Sequence, residues 1–315
     1  MQTKTLTSPL YRMNIRLTEE KMIELFIEID DLLKAYADYQ SNSETCLFNR
    51  VKTKQQPRLN GSEVATIIVC YHLSGYRNFE YYYKQVILGD YKSYFPANLS
   101  YSRFVSLIPR ALPVIALWSL HSCAKSLHTG YYFIDSKKLQ VCHLRREKSH
   151  KVFKDYARKG KTSTGWFYGL KVHLVINHLG QIVSFIFTPG NVADNNQKLL
   201  QQLVGNLKGC LIGDKGYYTK LFQTFYENGL HLILRPKKKM RALPVEPKLV
   251  SLSKKRAVIE SVNDILMTVC DIEHTRHRSP INGICQMVAS IIAYQSLKNK
   301  PHVYIPNAIN YLEAC

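Results

Sequence analysis

Three acidic residues occur in segments where a carboxylate would be costly to bury. Asp135 follows the letters YYFI and Asp214 follows GCLIG, both of which are typical of buried strands, and Glu260 lies in KKRAVIESVNDILM, which has helical spacing. A buried carboxylate needs a positive partner. If two strand ends and one helix bring the three acids together, their repulsion calls for a cation, and hard oxygen ligands suit Mg²⁺ or Mn²⁺.

Two such ions can activate water and stabilise the leaving oxygen in phosphodiester chemistry. The alternative is structural, with Asp135 and Asp214 capping strand ends or pairing with Lys137 and Lys215. Asp194, which follows PGNVA, is a further candidate acid. Its place before NNQKLL favours a helix N-cap instead.

The charge of the chain indicates a polyanionic partner. The 315 residues include 43 Lys and Arg against 23 Asp and Glu, which gives a net charge of +20. Residues 1–50 have a net charge of −2 and the remainder +22, so the excess is not a uniform solubilising surface. Nucleic acid is the commonest partner for such a charge, whereas a solvated face is the alternative for any single basic run.

The cysteines and apolar segments argue against other classes of protein. None of the eight cysteines forms a C-x-x-C pair, which disfavours a zinc ribbon and a secreted disulfide scaffold. We find neither the apolar stretch of a signal peptide nor an apolar run of about 18 residues that could span a membrane. The expectation is a cytoplasmic protein with no membrane partner.

The first part of the sequence predicts an all-helical region over residues 1–126. Helices are predicted at 18–36, 62–75, 78–88 and 102–126, the last of them interrupted at Pro109 and Pro113. Basic residues alternate here with tyrosines, which favours DNA binding as strongly as it favours a tyrosine-rich core. These residues are Arg77, Lys84, Lys92, Arg103 and Arg110, with Tyr76, Tyr81, Tyr82, Tyr83, Tyr91 and Tyr101.

The second part predicts an α/β domain over residues 127–300, followed by a tail at 301–315. Strands are predicted at 131–139, 166–177, 182–188, 209–214 and 231–236, and helices at 195–204, 221–229, 254–270 and 280–298. Residues 143–165 are predicted to be a basic loop. This order describes a mixed sheet with helices on both faces, as in an RNase H-like fold. Within strand 166–177, Lys171, His173 and Asn177 share a polar face, where His173 is either a DNA contact or a structural histidine.

Four ordered motifs together resemble a family. YYFIDSKKLQVC, GLKVHLVINHLGQIVSFIFTPGNVADN, LIGDKGYY and RAVIESVNDIL with IEHTRHRSP resemble the DDE transposases of bacterial insertion sequences. The nearest resemblance is to the insertion-sequence family numbered nine hundred eighty-two. It covers about residues 60–300. Asp214 lies 79 positions after Asp135, and Glu260 lies 46 positions after Asp214, as in a DDE core without a large inserted domain.

The resemblance implies roles for individual residues. Asp135, Asp214 and Glu260 would be catalytic and would bind two Mg²⁺ or Mn²⁺ ions. Arg256 matches the arginine of a Y-R-E-K helix and would contact phosphate or orient Glu260. The tyrosine and lysine positions of that signature hold Ser253 and Met267 here. Residues expected to substitute for them or to bind phosphate are Lys254, Lys255, Lys237, Lys238, Lys239, His274, Arg276, His277 and Arg278, with Lys171 and His173 nearer the site.

The function that these expectations describe is a transposase. It would bind the terminal inverted repeats of its own element and catalyse metal-dependent strand cleavage and strand transfer on double-stranded DNA, as a homodimer associated with the nucleoid. The alternative is a catalytically decayed copy that only binds DNA, a reading kept open by Ser253 and Met267. A host nuclease of RNase H-like fold is a third reading, disfavoured by the transposase-like motifs.

Overall fold

The chain divides into two compact units. The computed structural model describes residues 17–41, 58–234, 251–273 and 277–305. One unit comprises Met1–Ser122 with Leu266–Lys298, and the other comprises Cys123–Ile265 with Asn299–Cys315. The segment 266–298, which the sequence analysis placed in the catalytic region, therefore packs within the first unit.

Helices form the described part of the first unit. They are α1 (Glu19–Ser41), α2 (Gly61–Ser74), α3 (Phe79–Tyr82, continued as a π-helix over Tyr83–Asp90), α4 (Tyr101–Ala124) and α8 (Pro280–Gln295). Helix α2 begins with a capping box, in which the Asn60 side chain accepts from the Glu63 N–H and the Glu63 side chain accepts from the Asn60 N–H. It ends at Gly75, whose φ of +75° suits a residue without a Cβ.

Helix α4 is continuous through both prolines, contrary to the interruption predicted at Pro109 and Pro113. Each proline removes one backbone hydrogen bond, but a buried stripe at helical spacing holds the helix in place. The stripe consists of Phe104, Ile108, Ala111, Ile115 and Trp118. By length and composition alone α4 could cross a membrane, which the sequence analysis had excluded for every segment. Its buried stripe is equally typical of the core helix of a globular unit.

The second unit is built on a six-stranded mixed sheet. Its strands are β1 (Tyr131–Cys142), β2 (Arg158–Thr162), β3 (Gly165–Asn177), β4 (Ile182–Pro189), β5 (Gly209–Gly213) and β6 (Leu230–Leu234). The order is β2-β3-β1-β5-β6, and β4 also pairs with β3. Strands β1 to β4 pair antiparallel, whereas β1–β5 and β5–β6 pair parallel. The predicted strands are confirmed, and β2 lies inside the segment predicted to be a loop.

Helices of the second unit cover the sheet. They are α5 (Gln197–Val204), α6 (Phe222–Glu227) and α7 (Ala257–Thr268), the last entered through a 3-10 segment over Ser251–Arg256. Tyr132, Ile134 and Val175 pack against apolar residues of α5 in one core cluster. Because successive side chains of a strand point to opposite faces, Phe133 and Asp135 point away from this cluster. Residues 167–177 of β3 are buried on both faces, whereas Trp166 at the start of the strand is exposed.

Candidate active site

Asp135 lies within strand β1, and Asp214 directly follows the neighbouring parallel strand β5. In the β1–β5 register Tyr131 pairs with Cys210, and Phe133 pairs with Ile212. Continuing that register by two residues places Asp135 beside Asp214. The Asp214 carboxylate accepts a hydrogen bond of 2.7 Å from the Lys215 N–H and so caps a 3-10 turn over Lys215–Tyr217. The two strands are neighbours as predicted, but β1 continues for seven residues beyond Asp135, so only Asp214 lies at a strand end, where it caps the following turn.

Glu260 is connected to Asp135 through an arginine. Arg256 Nη1 lies 2.9 Å from Glu260 Oε1, and Arg256 Nη2 lies 2.8 Å from Asp135 Oδ1. The Asp135 and Arg256 side chains are 19% and 21% exposed, whereas the Glu260 side chain is 62% exposed. Arg256 therefore contacts Glu260, which is the contact that its predicted orienting role requires. The ion pair of Asp135 is with this arginine and not with Lys137.

Asn263 is a residue of the site that the sequence analysis missed. Its Nδ2 donates to Asp135 Oδ2 at 2.9 Å, so each oxygen of the aspartate is held by a different side chain of the same segment. Asn263 lies three residues after Glu260, on α7, and is 3% exposed. The spacing of one helical turn was available in the sequence, but an amide carries no signal that separates it from ordinary helix residues.

The electrostatics of Asp135 favour a cation. Burial raises the pKa of its carboxyl, and the Arg256 guanidinium is the largest opposing influence. Burial likewise raises the pKa of Tyr217 well above its ordinary value, with Asp135 and Asp194 adding to the effect. Burial thus disfavours the ionised form of Asp135, and a bound cation would stabilise that form.

Asp194 is bound to a second polar cluster and does not cap helix α5. The N-cap of α5 is Asn196, whose side chain accepts from the Leu199 N–H at 3.1 Å. Asp194 Oδ1 instead accepts from Lys171 Nζ at 3.0 Å and from Ser136 Oγ at 2.9 Å. The N-cap prediction is therefore wrong, because the chain turns for two more residues before the helix begins.

Lys171 and His173 are buried, which does not support their predicted contact with DNA. The Lys171 side chain is 9% exposed and is paired with Asp194. The His173 ring is fully buried, and its Nε2 lies 2.9 Å from Thr188 Oγ1. Both residues point to the side of the sheet opposite Asp135, because their β1 neighbours are Lys138 and Ser136. The strand has no solvated polar face, since β1 and β4 flank it and helices cover it.

Other predicted phosphate contacts fall into three groups. Lys254 and Arg278 are exposed, as phosphate-binding residues must be. Lys255 donates its ammonium to the Tyr304 carbonyl oxygen. Five predicted contacts lie outside the described residues, namely Lys237, Lys238, Lys239, His274 and Arg276, whereas His277 lies within them and is half-buried, as Lys255 is.

The tyrosine-rich segment of the first unit contains both core residues and exposed basic residues. Tyr82 and Tyr83 are buried and donate to the carbonyl oxygens of Ile67 and Leu99. For these two rings the core interpretation holds. Arg77 pairs with Asp271, and Lys84 pairs with Glu80. Three further basic residues are exposed, namely Lys92, Arg103 and Arg110.

The oxygen donors of Asp135, Asp214 and Glu260 suit a hard divalent ion, although the acids are not gathered around one position. Among the described residues no group of three or more His, Cys, Asp or Glu side chains is arranged to hold a metal. Arg256 stands between Asp135 and Glu260 instead. The carboxylates are nevertheless oxygen ligands, and the buried Asn263 Oδ1 beside Asp135 has no hydrogen-bond partner in the described structure.

Comparison with known proteins supports one class for this arrangement. The site has one aspartate within β1 and another directly after β5, and the first is joined through Arg256 to the helical Glu260. Residues 125–280, which include these positions, match the family model described as a transposase DDE domain. The match supports a DDE transposase, and its span includes Asp135, Asp214 and Glu260.

The other comparisons add little to this assignment. No curated protein matches the chain. Among solved structures, the crystal structure of the Mos1 strand transfer complex is similar at a TM-score of 0.27 with 11% identity, over 79% of this chain and 75% of that chain. A likeness at this score does not define a fold.

Proposed function

We propose that the chain is a transposase that binds the terminal inverted repeats of its insertion sequence and catalyses metal-dependent DNA cleavage and strand transfer. The observation that carries the proposal is the placement of Asp135 beside Asp214, with Glu260 tied to Asp135 through Arg256. The strand order supports an RNase H-like catalytic domain. The motif resemblance supports membership of the insertion-sequence family numbered nine hundred eighty-two.

Asp135, Asp214 and Glu260 are the residues that would hold Mg²⁺ or Mn²⁺, two ions by resemblance. Such ions supply an activated water and neutralise charge on the phosphate under attack. Asn263 holds one oxygen of Asp135 in place, and Arg256 holds the other. Arg256 orients Glu260, and its guanidinium is a bidentate group that can bind a DNA phosphate when it leaves Asp135.

The DNA partner is supported by the net charge of +20. We further propose that the exposed basic residues of the first unit contact the inverted repeat, and that two protomers pair two element ends. Action in the cytoplasm, on the nucleoid, follows from this proposal.

A decayed, DNA-binding copy is the second candidate function. It is favoured by the pairing of Arg256 with Asp135, since this arginine and the carboxylate neutralise one another without a metal. Ser253 and Met267, which stand where the Y-R-E-K signature has tyrosine and lysine, favour it too.

Incubation of the protein with duplex DNA from either end of its element, with Mg²⁺ or Mn²⁺, tests the proposal. A transposase gives cleavage at the repeat boundary, which disappears in Asp135→Asn while DNA affinity persists. Binding without cleavage by the wild-type protein would support the decayed copy, and absence of both would exclude both candidates.

A further inference from the structure

The hairpin of β2 and β3 carries a basic surface that none of the assigned roles uses. Lys159 and Lys161 lie with their ammonium groups 5.1 and 5.5 Å from the centroid of the Trp166 ring. The Trp166 side chain is 55% exposed, and both lysines are exposed as well. These three residues are called here the lysine–tryptophan surface. Tryptophan side chains are usually largely buried, so an exposed indole beside two lysine ammonium groups is unusual.

Protection of a sheet edge explains only part of this surface. Strand β2 is an edge strand, and lysines on such strands prevent pairing with other chains. That account does not require an exposed tryptophan, nor the further exposed basic side chains that precede β2 or begin it. These are Arg145, Arg146, Lys148, Lys151, Lys154 and Arg158. In the part of the chain that the structure describes, none of the eight basic residues between 145 and 161 pairs with an acid.

The surface is held rigidly. A Cβ added to Gly160, between the two lysines, would lie 2.1 Å from the Gly190 carbonyl oxygen, so β2 packs closely against the end of β4. The Arg158 guanidinium donates to the carbonyl oxygens of Lys154 and Ala157, both at 2.8 Å. Because the backbone beneath the surface is fixed, little order has to be gained when a ligand binds.

The surface lies on the same side of the sheet as the Asp135 carboxylate. Lys161 pairs with Trp166 across β2 and β3, and Asp135 pairs with Leu174 across β1 and β3. Trp166 and Leu174 are eight residues apart on one strand, so their side chains share a face. At about 3.4 Å per residue the two points are roughly 27 Å apart, which is the rise of about eight base pairs of DNA.

We propose that the lysine–tryptophan surface binds DNA about eight base pairs from the phosphate held at the carboxylates. Lys159 and Lys161 contact backbone phosphates, and the indole of Trp166 packs on a base or sugar of the same strand. Cationic side chains with an aromatic ring between them are the combination that recognises a nucleic-acid strand without reading its sequence. This inference rests on the proposed function, because it extends the DNA path from that site.

The two tryptophans of the chain make the proposal directly measurable. Trp118 is fully buried and Trp166 is exposed, so the change in emission when DNA binds reports on Trp166. We would titrate the full chain with a fluorescein-labelled 30-bp duplex of mixed sequence, following anisotropy for binding and intrinsic emission for Trp166. Binding should quench the emission in wild type, and Trp166→Phe should abolish the quenching while binding persists.

Affinity and salt dependence provide the second readout. Trp166→Ala should weaken binding about five- to tenfold. The double variant Lys159→Ala with Lys161→Ala should reduce the slope of log affinity against log salt by about two. The matched control removes two exposed lysines elsewhere in the same unit, Lys198→Ala with Lys208→Ala, and should leave the slope near the wild-type value.

Failure of the surface and failure of the proposed function give different results. Suppose that wild type binds the duplex with unchanged tryptophan emission, and that the two double variants have equal slopes of log affinity against log salt. DNA contact by the lysine–tryptophan surface is then refuted, while DNA binding by the protein stands. If wild type does not bind the duplex under any salt condition, the proposed function itself fails, and the surface with it.

Discussion

Arg256 and Asp135, separated by 121 residues in the sequence, form an ion pair of 2.8 Å that joins the segment before α7 to strand β1. The same guanidinium holds Glu260 one helical turn further along. One arginine thus connects the strand aspartate to the helix glutamate, and it does so at the position where the proposed metal ions would need both acids. The arginine therefore either yields to the metal and DNA or keeps the site closed.

Replacement of Arg256 measures which of these roles applies. In Arg256→Ala, Asp135 loses its main opposing charge, and Glu260 loses its orienting partner. We expect metal-dependent cleavage to fall at least tenfold, with a smaller loss of DNA affinity. Arg256→Lys should recover little activity, because an ammonium cannot bridge two carboxylates as a guanidinium does. Faster cleavage by Arg256→Ala than by wild type would show that the arginine closes the site.

Asn263→Asp gives a stability test for the metal. The new carboxylate would lie beside Asp135 at a buried position, so the variant should be less stable than wild type in EDTA by roughly 1–3 kcal/mol. Mg²⁺ should raise the free energy of unfolding more in Asn263→Asp than in wild type, because an ion that binds the folded state stabilises it. Urea unfolding with and without Mg²⁺ measures both values. Asn263→Ala is the control, and an equal response to Mg²⁺ in both variants would count against a metal at Asp135.

His173 predicts a pH dependence of stability. Burial lowers the pKa of His173 to about 4, against an ordinary value of 6.5. Between these values the unfolded chain binds a proton that the folded chain does not, so the free energy of unfolding should fall as pH drops from 6.5 to 4, by at most about 1.4 kcal/mol per pH unit. His173→Gln removes this proton while keeping a hydrogen-bonding side chain.

Urea unfolding at pH 4.5, 5.5, 6.5 and 7.5 should therefore show a flatter profile for His173→Gln. Burial also lowers the pKa of His178, so His178→Gln should flatten the profile in the same direction. Comparing the two variants separates the contributions of the two histidines. An unchanged slope in His173→Gln would mean that this ring is protonated in the folded protein.

Two glycines test how the sheet positions the aspartates. Gly209 has a φ of +113°, and an added Cβ would lie 2.2 Å from the Gly130 carbonyl oxygen, between β5 and β1. Gly165 has a φ of +119°, and a Cβ added there would have no other atom within 4 Å. Gly209→Ala should cost roughly 3 kcal/mol or more, and Gly165→Ala about 1–2 kcal/mol. Thermal unfolding compares them, and equal losses would show that backbone strain outweighs the strand contact.

Local sequence patterns predicted the strands of the second unit, because short apolar runs bounded by glycine are typical of buried strands. They missed β2, since its letters RKGKT are basic and owe their strand conformation to pairing with β3. They also predicted an interruption of α4 at its prolines, because the local sequence does not show that the face with Phe104 and Trp118 is buried. Tertiary packing decided the structure in both cases.

The site shows the same division. The apolar context of Asp135 and Asp214 marked them in the sequence, and parallel pairing of β1 and β5 explains why they are neighbours. The hydrogen-bond partners of Asp135 depend on the angle at which α7 packs against the sheet. The spacing of residues in the sequence does not determine that angle. Asn263 was therefore missed, and the burial of Lys171 with Asp194 was read as a DNA-facing surface.

The most direct test of the central claim is cleavage of element-end DNA by wild type, Asp135→Asn, Asp214→Asn and Glu260→Gln, with Mg²⁺ or Mn²⁺ and with EDTA. We predict metal-dependent cleavage at the repeat boundary by wild type, a loss of at least a hundredfold in each variant, and DNA affinity within a fewfold of wild type in all four proteins. Cleavage that persists in Asp214→Asn, or that proceeds in EDTA, would contradict the assignment of this site.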